Sequence, residues 1–539
     1  MGVGNGNGKH YSLGGPGDQF PGMGHSKVSI IVGMACACSF VYVMSLLLMS
    51  AHPCWTNSCQ STPCTDSGIL RDGSNFSLRA SMANSSEYSI APAFNYPQAE
   101  PGSLVATDGR NGARRSTTDI SRIVFGIAAA RDIWWGRKEY LKLWWKPSKM
   151  RGFVFLDKEP YGNYWPPECP PYRISENTSH FKYTYKGGWR SAIRISRIVS
   201  EMFRLDLPNV DWFVMGDDDT LFFADNLVQV LSKYDHNKMY YIGSVSESHL
   251  QNILFSYSMA FGGGGFAISY PLAKALAKMQ DGCLSRYPYL FGSDDRMHAC
   301  MAELGIPLTK EPGFHQLDIV GDISGFLAAH PVAPLVTLHH LDVIHPIFPN
   351  TATKNYTRVR ALKHLLKAAK VEAGSIVQQS ICYTHNLKWS FTVSWGYVVQ
   401  VHKGFVSPRE LEVPQKTFKS WHKERSKVEF PFNTRDNPED VCKQPTRFFM
   451  DSVTAAGADS GGLMRGEFIR EFNEEKSDCA DKLQPLSAVQ RIQVMREKID
   501  ASWYQMPRRS CCRVKHWRND NIDIHVGPCV EGESLIGSF

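Results

Sequence analysis

Four short segments of this sequence carry side chains that could bind a metal ion or accept a proton. In chain order they contain Asp217, Asp218 and Asp219; Gly262, Gly263, Gly264 and Gly265; Asp294 and Asp295; and His339 and His340. Carboxylate oxygens are hard ligands that suit Mn²⁺ or Mg²⁺, and an imidazole nitrogen is a common further ligand. A carboxylate is also a candidate general base. The segments indicate a metal-assisted reaction, provided that the fold brings them together.

The acidic triplet, residues 217–219, has the most informative position. It follows the apolar residues 212–215 and precedes a helix predicted for residues 225–234. The carboxyl end of a strand in an open α/β sheet is where ligands bind. Three adjacent carboxylates also repel one another unless a cation neutralises them. A solvated or helix-capping turn is the alternative, and the triplet alone does not decide between the two.

Each of the other segments also has a plainer explanation. Four consecutive glycines let a backbone approach a ligand closely, but they also suit a flexible hinge. Asp294 and Asp295 follow Ser293, so they could stabilise the N-terminus of a helix without any catalytic role. A histidine in a strand is more often structural than a metal ligand. A site is therefore indicated by the four segments together and not by any one of them.

The elements that must position these residues alternate between strands and helices. Short apolar runs predict strands at residues 122–128, 152–156, 211–215, 239–243 and 258–269. Helical spacing predicts helices at residues 134–145, 189–205, 225–234, 271–280 and 295–304. This alternation predicts an α/β sheet covered by helices. From residue 389 to residue 401, large apolar residues alternate with other types, which predicts a half-buried strand in a separate β-rich C-terminal domain.

An uncharged N-terminal run predicts a membrane anchor. Residues 28–50 contain no charged side chain, and this length can span a bilayer. A cleaved signal peptide is the rival, although its apolar region is usually about 7 to 15 residues long. We expect a cytoplasmic tail at 1–27, a transmembrane signal-anchor at 28–50 and a flexible stem at 51–118. A catalytic domain at 119–372 and the β-rich domain at 373–539 follow.

The distribution of cysteines and glycosylation sequons favours a lumenal body for the protein. Twelve of the 14 cysteines and all four Asn-x-Ser/Thr sequons, at Asn75, Asn84, Asn177 and Asn355, follow the anchor. This distribution is typical of a compartment where disulfides persist. The adjacent Cys511 and Cys512 should each bond to a partner that is distant in the sequence. The net charge of +7 is small for 539 residues, so we expect no nucleic-acid partner.

The four segments, in this order, resemble the Fringe-related glycosyltransferases of family 31, and most closely the large Fringe-like branch of plants. The resemblance covers about residues 119–346 and includes Ala-Arg-Asp-Ile-Trp-Trp-Gly-Arg at 130–137, followed by Trp145. Ala128 stands where Fringe proteins carry a lysine. The resemblance implies a GT-A fold with a mixed sheet between helices. It also implies inverting transfer from a UDP-sugar to a hydroxyl of a glycan or glycoprotein, commonly with a β-1,3 linkage.

The resemblance also implies roles for individual residues on the donor side. Asp219 would hold Mn²⁺ or Mg²⁺, Asp217 would contact the ribose or a metal-bound water, and Asp218 would support the turn. His340, or as second choice His339, would be the other protein ligand of the metal. The four glycines would line the donor sugar pocket, and Arg131 would face the nucleotide.

On the acceptor side, Asp295 is the expected general base, with Asp294 as second choice. A disulfide between Cys283 and Cys300 is also implied. The family places such enzymes in the Golgi membrane with type II topology, and the stem cysteines make a homodimer possible. Two other functional hypotheses fit the same residues: an inactive glycan-binding or scaffold protein of this fold, and a metal-dependent hydrolase.

Overall fold

The computed structural model describes residues 118–162, 164–351, 354–421, 428–455, 462–472 and 479–537. The expected tail, anchor and nearly all of the stem lie outside these residues, as do the sequons at Asn75 and Asn84. Within the described residues, no helix combines the length and the apolar character needed to cross a membrane.

A seven-stranded mixed sheet organises the first part of the described chain. The strands of this part are β1 (Ile123–Ala128), β2 (Arg151–Leu156), β3 (Tyr172–Ile174), β4 (Trp212–Asp217), β5 (Leu221–Phe222), β6 (Tyr241–Gly243), β7 (Phe266–Ser269), β8 (Leu308–Lys310), β9 (Ile319–Gly321) and β10 (Thr337–Leu338). The sheet has the order β3-β2-β1-β4-β7-β6-β8. Strands β1 to β4 are parallel, and β7 runs antiparallel between β4 and β6. The predicted mixed α/β sheet is confirmed.

Helices cover both faces of the sheet. They are α1 (Trp134–Trp144), α2 (Ser191–Ser196), α3 (Ile198–Phe203), α4 (Ala224–Leu231), α5 (His249–Leu254), α6 (Tyr270–Arg286), α7 (Ser293–Glu303), α8 (Ser324–Ala328) and α9 (Arg358–Val371). Strand β1 shows why both faces are buried. Phe125 and Ile127 join one apolar cluster, while Val124 and Ala128 join the cluster on the opposite face. Successive side chains of a strand point to opposite faces, so a continuous apolar run fits a sheet covered on both sides.

Three of the elements predicted for the first part of the chain differ clearly from the structure. The helix predicted for 271–280 continues to Arg286 as α6. The helix predicted for 189–205 is interrupted at Arg197, whose N–H bonds to the Arg194 carbonyl only three residues back. The strand predicted for 258–269 is confined to β7, because Gly262 and Gly265 form a turn in which Gly265 has a φ of +83°. A positive φ takes the chain out of the extended conformation, and glycine adopts it without steric cost.

A closed eight-stranded barrel forms most of the remaining chain. The elements of this part are β11 (Gln379–Tyr383), β12 (Trp389–Ser394), β13 (Val398–Lys403), α10 (Pro408–Leu411), β14 (Phe418–Ser420), β15 (Thr446–Ala455), β16 (Met464–Arg470), β17 (Arg491–Arg496), β18 (Cys511–Trp517) and β19 (Asn521–Gly527). All of these strands except β14 belong to the barrel, which closes where β11 pairs with β18. The C-terminal part is therefore β-rich.

The alternating segment 389–401 is a hairpin rather than one strand. Strands β12 and β13 pair antiparallel, and Gly396 between them has a φ of +73°. All six residues of β12 are buried, which corrects the half-buried expectation. The polar face is covered as well, because Ser394 donates to the Leu327 carbonyl of α8.

The sheet and the barrel are joined by a continuous hydrophobic core, since one apolar cluster contains residues of both. Polar contacts add to this junction: Gln379 donates to the Ala328 carbonyl, and Asn226 donates to the Ala373 carbonyl. Four disulfides of the described residues lie within one part or the other. Cys283 bonds to Cys300 in the first part, and the C-terminal part contains the pairs Cys382–Cys512, Cys442–Cys479 and Cys511–Cys529. As expected, neither of the adjacent cysteines has a near neighbour in the sequence as its partner, since Cys512 pairs across 130 positions and Cys511 across 18.

Candidate active site

The acidic turn lies at the carboxyl edge of the parallel strands. Asp217 is the last residue of β4 and lies beside Ala128, the last residue of β1. The N–H of Asp218 donates to the Ala128 carbonyl at 3.0 Å. Thr220 fixes the turn, because its hydroxyl accepts from the Asp217 N–H and donates to the Gly263 carbonyl. The carboxylates are therefore held at the edge where open α/β sheets bind ligands.

Strand pairing brings a histidine to this turn. Strand β5 follows the acidic residues directly and pairs antiparallel with β10, and His339 is the residue after β10. The His339 Nε2 atom lies 3.2 Å from Asp219 Oδ1 and 3.6 Å from Asp217 Oδ2. Single ligand atoms of Asp217, Asp219 and His339 all lie within 4.8 Å of one another.

These three side chains fit a divalent cation. For metal–ligand bonds of about 2.1 Å, as with Mg²⁺, neighbouring ligands of an octahedron lie about 3 Å apart. The two separations from His339 Nε2, 3.2 and 3.6 Å, are near this value, and two carboxylates with one imidazole suit Mn²⁺ or Mg²⁺. Burial, followed by the charges of Asp219 and Asp294, raises the pKa of Asp217 to about 7. A cation would relieve this unfavourable crowding of carboxylates.

Arg137 contacts the acidic turn from the side opposite His339. This α1 residue forms an ion pair with Asp219 through Oδ2, which leaves Oδ1 facing the histidine. Its guanidinium also lies 3.6 Å from Asp218 and 2.9 Å from Asp342. Burial acts to lower the pKa of Arg137, but the surrounding carboxylates outweigh it and raise the pKa above its ordinary value. Arg137 and a metal ion can therefore use different oxygens of Asp219.

His340 lies beside Asp318 and Trp421 and is not part of the close group of ligand atoms formed by Asp217, Asp219 and His339. It has a φ of +49°, a left-handed conformation that is uncommon for any residue other than glycine. Its Nδ1 lies 2.9 Å from an oxygen of Asp318, and its ring stacks on Trp421 with 4.5 Å between ring centroids. Of the two adjacent histidines, the second-choice residue His339 is therefore the one beside the acidic turn.

The glycine run allows two functional side chains to approach the backbone. A Cβ atom on Gly263 would overlap the His339 ring, and one on Gly262 would overlap an oxygen of Asp294. Gly264 is held in turn by its N–H, which donates to Gln316 Oε1 at 2.6 Å. All four glycines are buried, and Gly262 lines a small cleft together with Asp294. The run therefore contributes close packing of His339 and Asp294.

Asp294 and Asp295 occupy the first turn of α7 but have different surroundings. Asp294 accepts hydrogen bonds from the Gly262 N–H and from the Ser293 hydroxyl. Within the described part of the chain, the carboxylate of Asp295 forms no hydrogen bond or ion pair. Burial raises the pKa of both carboxyl groups. Asp294 is thus held in place, while Asp295 has free oxygens.

A cavity of about 420 Å³ lies over the acidic turn. This volume is within the usual range for small-molecule sites, about 300 to 1,000 Å³. Its walls include the acidic turn, both histidines and residues at or just after the ends of β1 and β2, namely Ala128, Ala129, Ala130, Asp157 and Lys158. Other parts of the chain contribute Asp132, Arg137, Arg190, Arg194, Asp342 and Trp421. The ends of three neighbouring parallel strands therefore meet at one pocket.

The arginine chosen from the sequence is not among the residues that line this cavity. Arg131 pairs with Asp132 and stacks on the ring of Tyr161 at 4.3 Å. Arg137, six residues later in the same quoted segment, enters the site instead. Sequence analysis gave no role to Asp342, although it stands two residues after His340. It also did not single out Trp421, which lies in no motif and reaches the cavity through the β14–β9 pairing.

The comparisons with known proteins agree with a glycosyltransferase. A family model described as a protein of unknown function, DUF604, matches residues 251–512. It covers the glycine run, α7, both histidines and most of the barrel, but not the acidic turn.

Two curated proteins are also similar to this chain. The beta-1,3-glucosyltransferase of Mus musculus is 31% identical over 137 residues, which is 25% of this chain and 27% of the relative. The beta-1,3-glucosyltransferase of Homo sapiens is 34% identical over 106 residues, 20% of each chain. The matched segment thus spans about a quarter and a fifth of the length of these relatives. The similarity supports the resemblance to family 31 and does not distinguish its Fringe branch.

Proposed function

We propose that the protein is a type II Golgi membrane glycosyltransferase that transfers a sugar from a UDP-sugar to a hydroxyl of a glycan or glycoprotein, with inversion and a β-1,3 linkage. The observation that carries this function is the cluster of Asp217, Asp219 and His339 at the mouth of a cavity large enough for a small nucleotide. The named activity of the similar curated proteins supports the reaction class. The four disulfides, which persist in oxidising compartments, and the uncharged N-terminal run support the location.

The donor would lie along the carboxyl ends of β1, β2 and β4. Asp217, Asp219 and His339 would hold Mn²⁺ or Mg²⁺, which when bound neutralises negative charge on the diphosphate leaving group. Lys158 and Arg190 also line the cavity and could offer positive charge to the phosphates. Arg137 keeps the carboxylates of Asp218 and Asp219 in place through its ion pairs.

Asp295 would act as the general base. In an inverting transfer, the acceptor oxygen bonds to the anomeric carbon while the bond from that carbon to the UDP oxygen breaks. The proton of the acceptor hydroxyl must then pass to a nearby base. Asp295 is half-buried and has free carboxylate oxygens, and it lines a smaller cavity of about 40 Å³ that also contacts Trp421. Asp294, fixed by Gly262 and Ser293, would position the start of α7.

Calorimetric binding of UDP tests the donor site directly. The detergent-solubilised full chain should bind UDP at least about tenfold more tightly in Mn²⁺ than in EDTA, a difference of about 1.4 kcal/mol. The reason is that the diphosphate would share the cation with the acidic turn. Uridine, which has no phosphate, is the matched control and should bind with the same affinity in both buffers. Equal UDP affinity with and without the metal would contradict the assignment.

A further inference from the structure

A long connection between two barrel strands places one residue at the candidate active site. Strands β13 and β15 are neighbours in the barrel and pair antiparallel, so a short hairpin could join them. Residues 404–445 connect them instead, far more than the roughly 2 to 5 residues of an ordinary hairpin loop. This connection contains β14, which leaves the barrel and pairs antiparallel with β9 of the first part of the chain.

Trp421 is the residue that follows β14. Its N–H donates to the Asp318 carbonyl at 3.0 Å, which extends the β14–β9 pairing by one hydrogen bond. The indole stacks on the ring of His340, with 4.5 Å between centroids and 23° between ring planes. His340 is held in turn by Asp318. The backbone and the side chain of Trp421 are thus both fixed to residues at the edge of the site.

The Trp421 side chain lies at the surface of two cavities and not in the hydrophobic core. Trp421 is half-buried and belongs to none of the hydrophobic clusters of the described residues. It lines the large cavity with Asp217 and Asp219, and it also lines the small cavity with Asp294 and Asp295. The part of the ring that His340 leaves uncovered therefore borders both the donor cavity and the candidate base.

We propose that Trp421 is an acceptor-binding residue and that the C-terminal part of the chain completes the active site through it. One face of a pyranose ring presents C–H groups and packs well on an aromatic ring, while its hydroxyls remain free to form hydrogen bonds. An acceptor pyranose on Trp421 would have a hydroxyl beside Asp295. Such orientation of a reacting group is a large part of catalysis. The inference rests on the proposed function for the identity of the ligand as an acceptor.

Saturation-transfer NMR with methyl glycosides tests this proposal without any donor. The probes are the methyl β-glycosides of glucose, galactose, xylose and N-acetylglucosamine, each added to the detergent-solubilised full chain. At least one should receive saturation from the wild-type protein. Trp421→Ala should reduce this transfer at least fivefold, and Trp421→Phe should restore most of it, because phenylalanine retains an aromatic face. Trp135→Ala is the matched control, since Trp135 is an exposed tryptophan on α1, and it should behave as wild type.

UDP binding in the same samples separates this proposal from the proposed function. If Trp421→Ala lowers glycoside binding and leaves the UDP dissociation constant within twofold, Trp421 serves the acceptor. An equal loss of UDP affinity would place the indole in the donor site and overturn the inference. Unchanged glycoside binding in the variant would also overturn it, as would the absence of glycoside binding to the wild-type protein. Failure of the wild-type protein to bind UDP would instead contradict the glycosyltransferase assignment, whatever the glycosides do.

Discussion

His339→Asn is expected to weaken Mn²⁺-dependent UDP binding by about 100-fold or more. The shorter side chain cannot place an atom where His339 Nε2 lies, 3.2 Å from Asp219 Oδ1, so the metal would lose one of three protein ligands. Loss of residues that merely orient metal ligands already costs about 10 to 100-fold in affinity or activity. Calorimetry of UDP binding in Mn²⁺ measures the effect, and the circular dichroism spectrum checks that the variant is folded.

His340→Asn is the matched control for this substitution. Asparagine tolerates a positive φ better than most residues, so the backbone at φ +49° should be retained. Because His340 faces Asp318 and Trp421, UDP affinity should stay within threefold of wild type. If UDP affinity fell strongly for His340→Asn and only slightly for His339→Asn, His340 would be the metal ligand, as the sequence analysis preferred.

Asp295→Asn is expected to lower the transfer rate by about 10³-fold and to leave UDP affinity within twofold. The amide keeps the size of the side chain but cannot accept the proton, and general-base catalysis contributes about 10² to 10⁴-fold. Glu303→Gln, at the other end of α7, removes a carboxylate from the same helix and should leave the rate unchanged. Transfer at the wild-type rate would exclude Asp295 as the base. A parallel loss of UDP binding would indicate a role in folding or in the donor site.

The sheet was predictable because its strands are short, apolar and buried on both faces. Residues 122–128 predict β1 within one residue of its observed bounds, Ile123–Ala128. The position of Asp217 at a strand end followed from the same pattern. A periodic pattern does not reveal where a chain reverses, however. Alternation continued through Gly396 because the residues on either side of the turn belong to the same buried hairpin.

The choice between His339 and His340 could not be made from spacing. Both follow the same apolar residues, and the direction of each ring depends on the β5–β10 pairing and on the positive φ of His340. The roles of Arg137 and Trp421 could not be predicted from the sequence for a different reason. Arg137 meets Asp219 across 82 positions of the chain, and Trp421 reaches His340 across 81. Only the folded topology brings such pairs together.

The most direct measurement is release of UDP from a panel of UDP-sugars by the detergent-solubilised full chain, in Mn²⁺ and in EDTA, with Asp219→Asn as the inactive control. A metal-dependent transferase predicts that one donor yields UDP slowly in water and faster with an acceptor, and that EDTA and the variant abolish both. Rapid release of free sugar that no acceptor accelerates would identify a hydrolase. No binding or turnover of any UDP-sugar by the folded protein would contradict the transferase and favour a glycan-binding protein of the same fold.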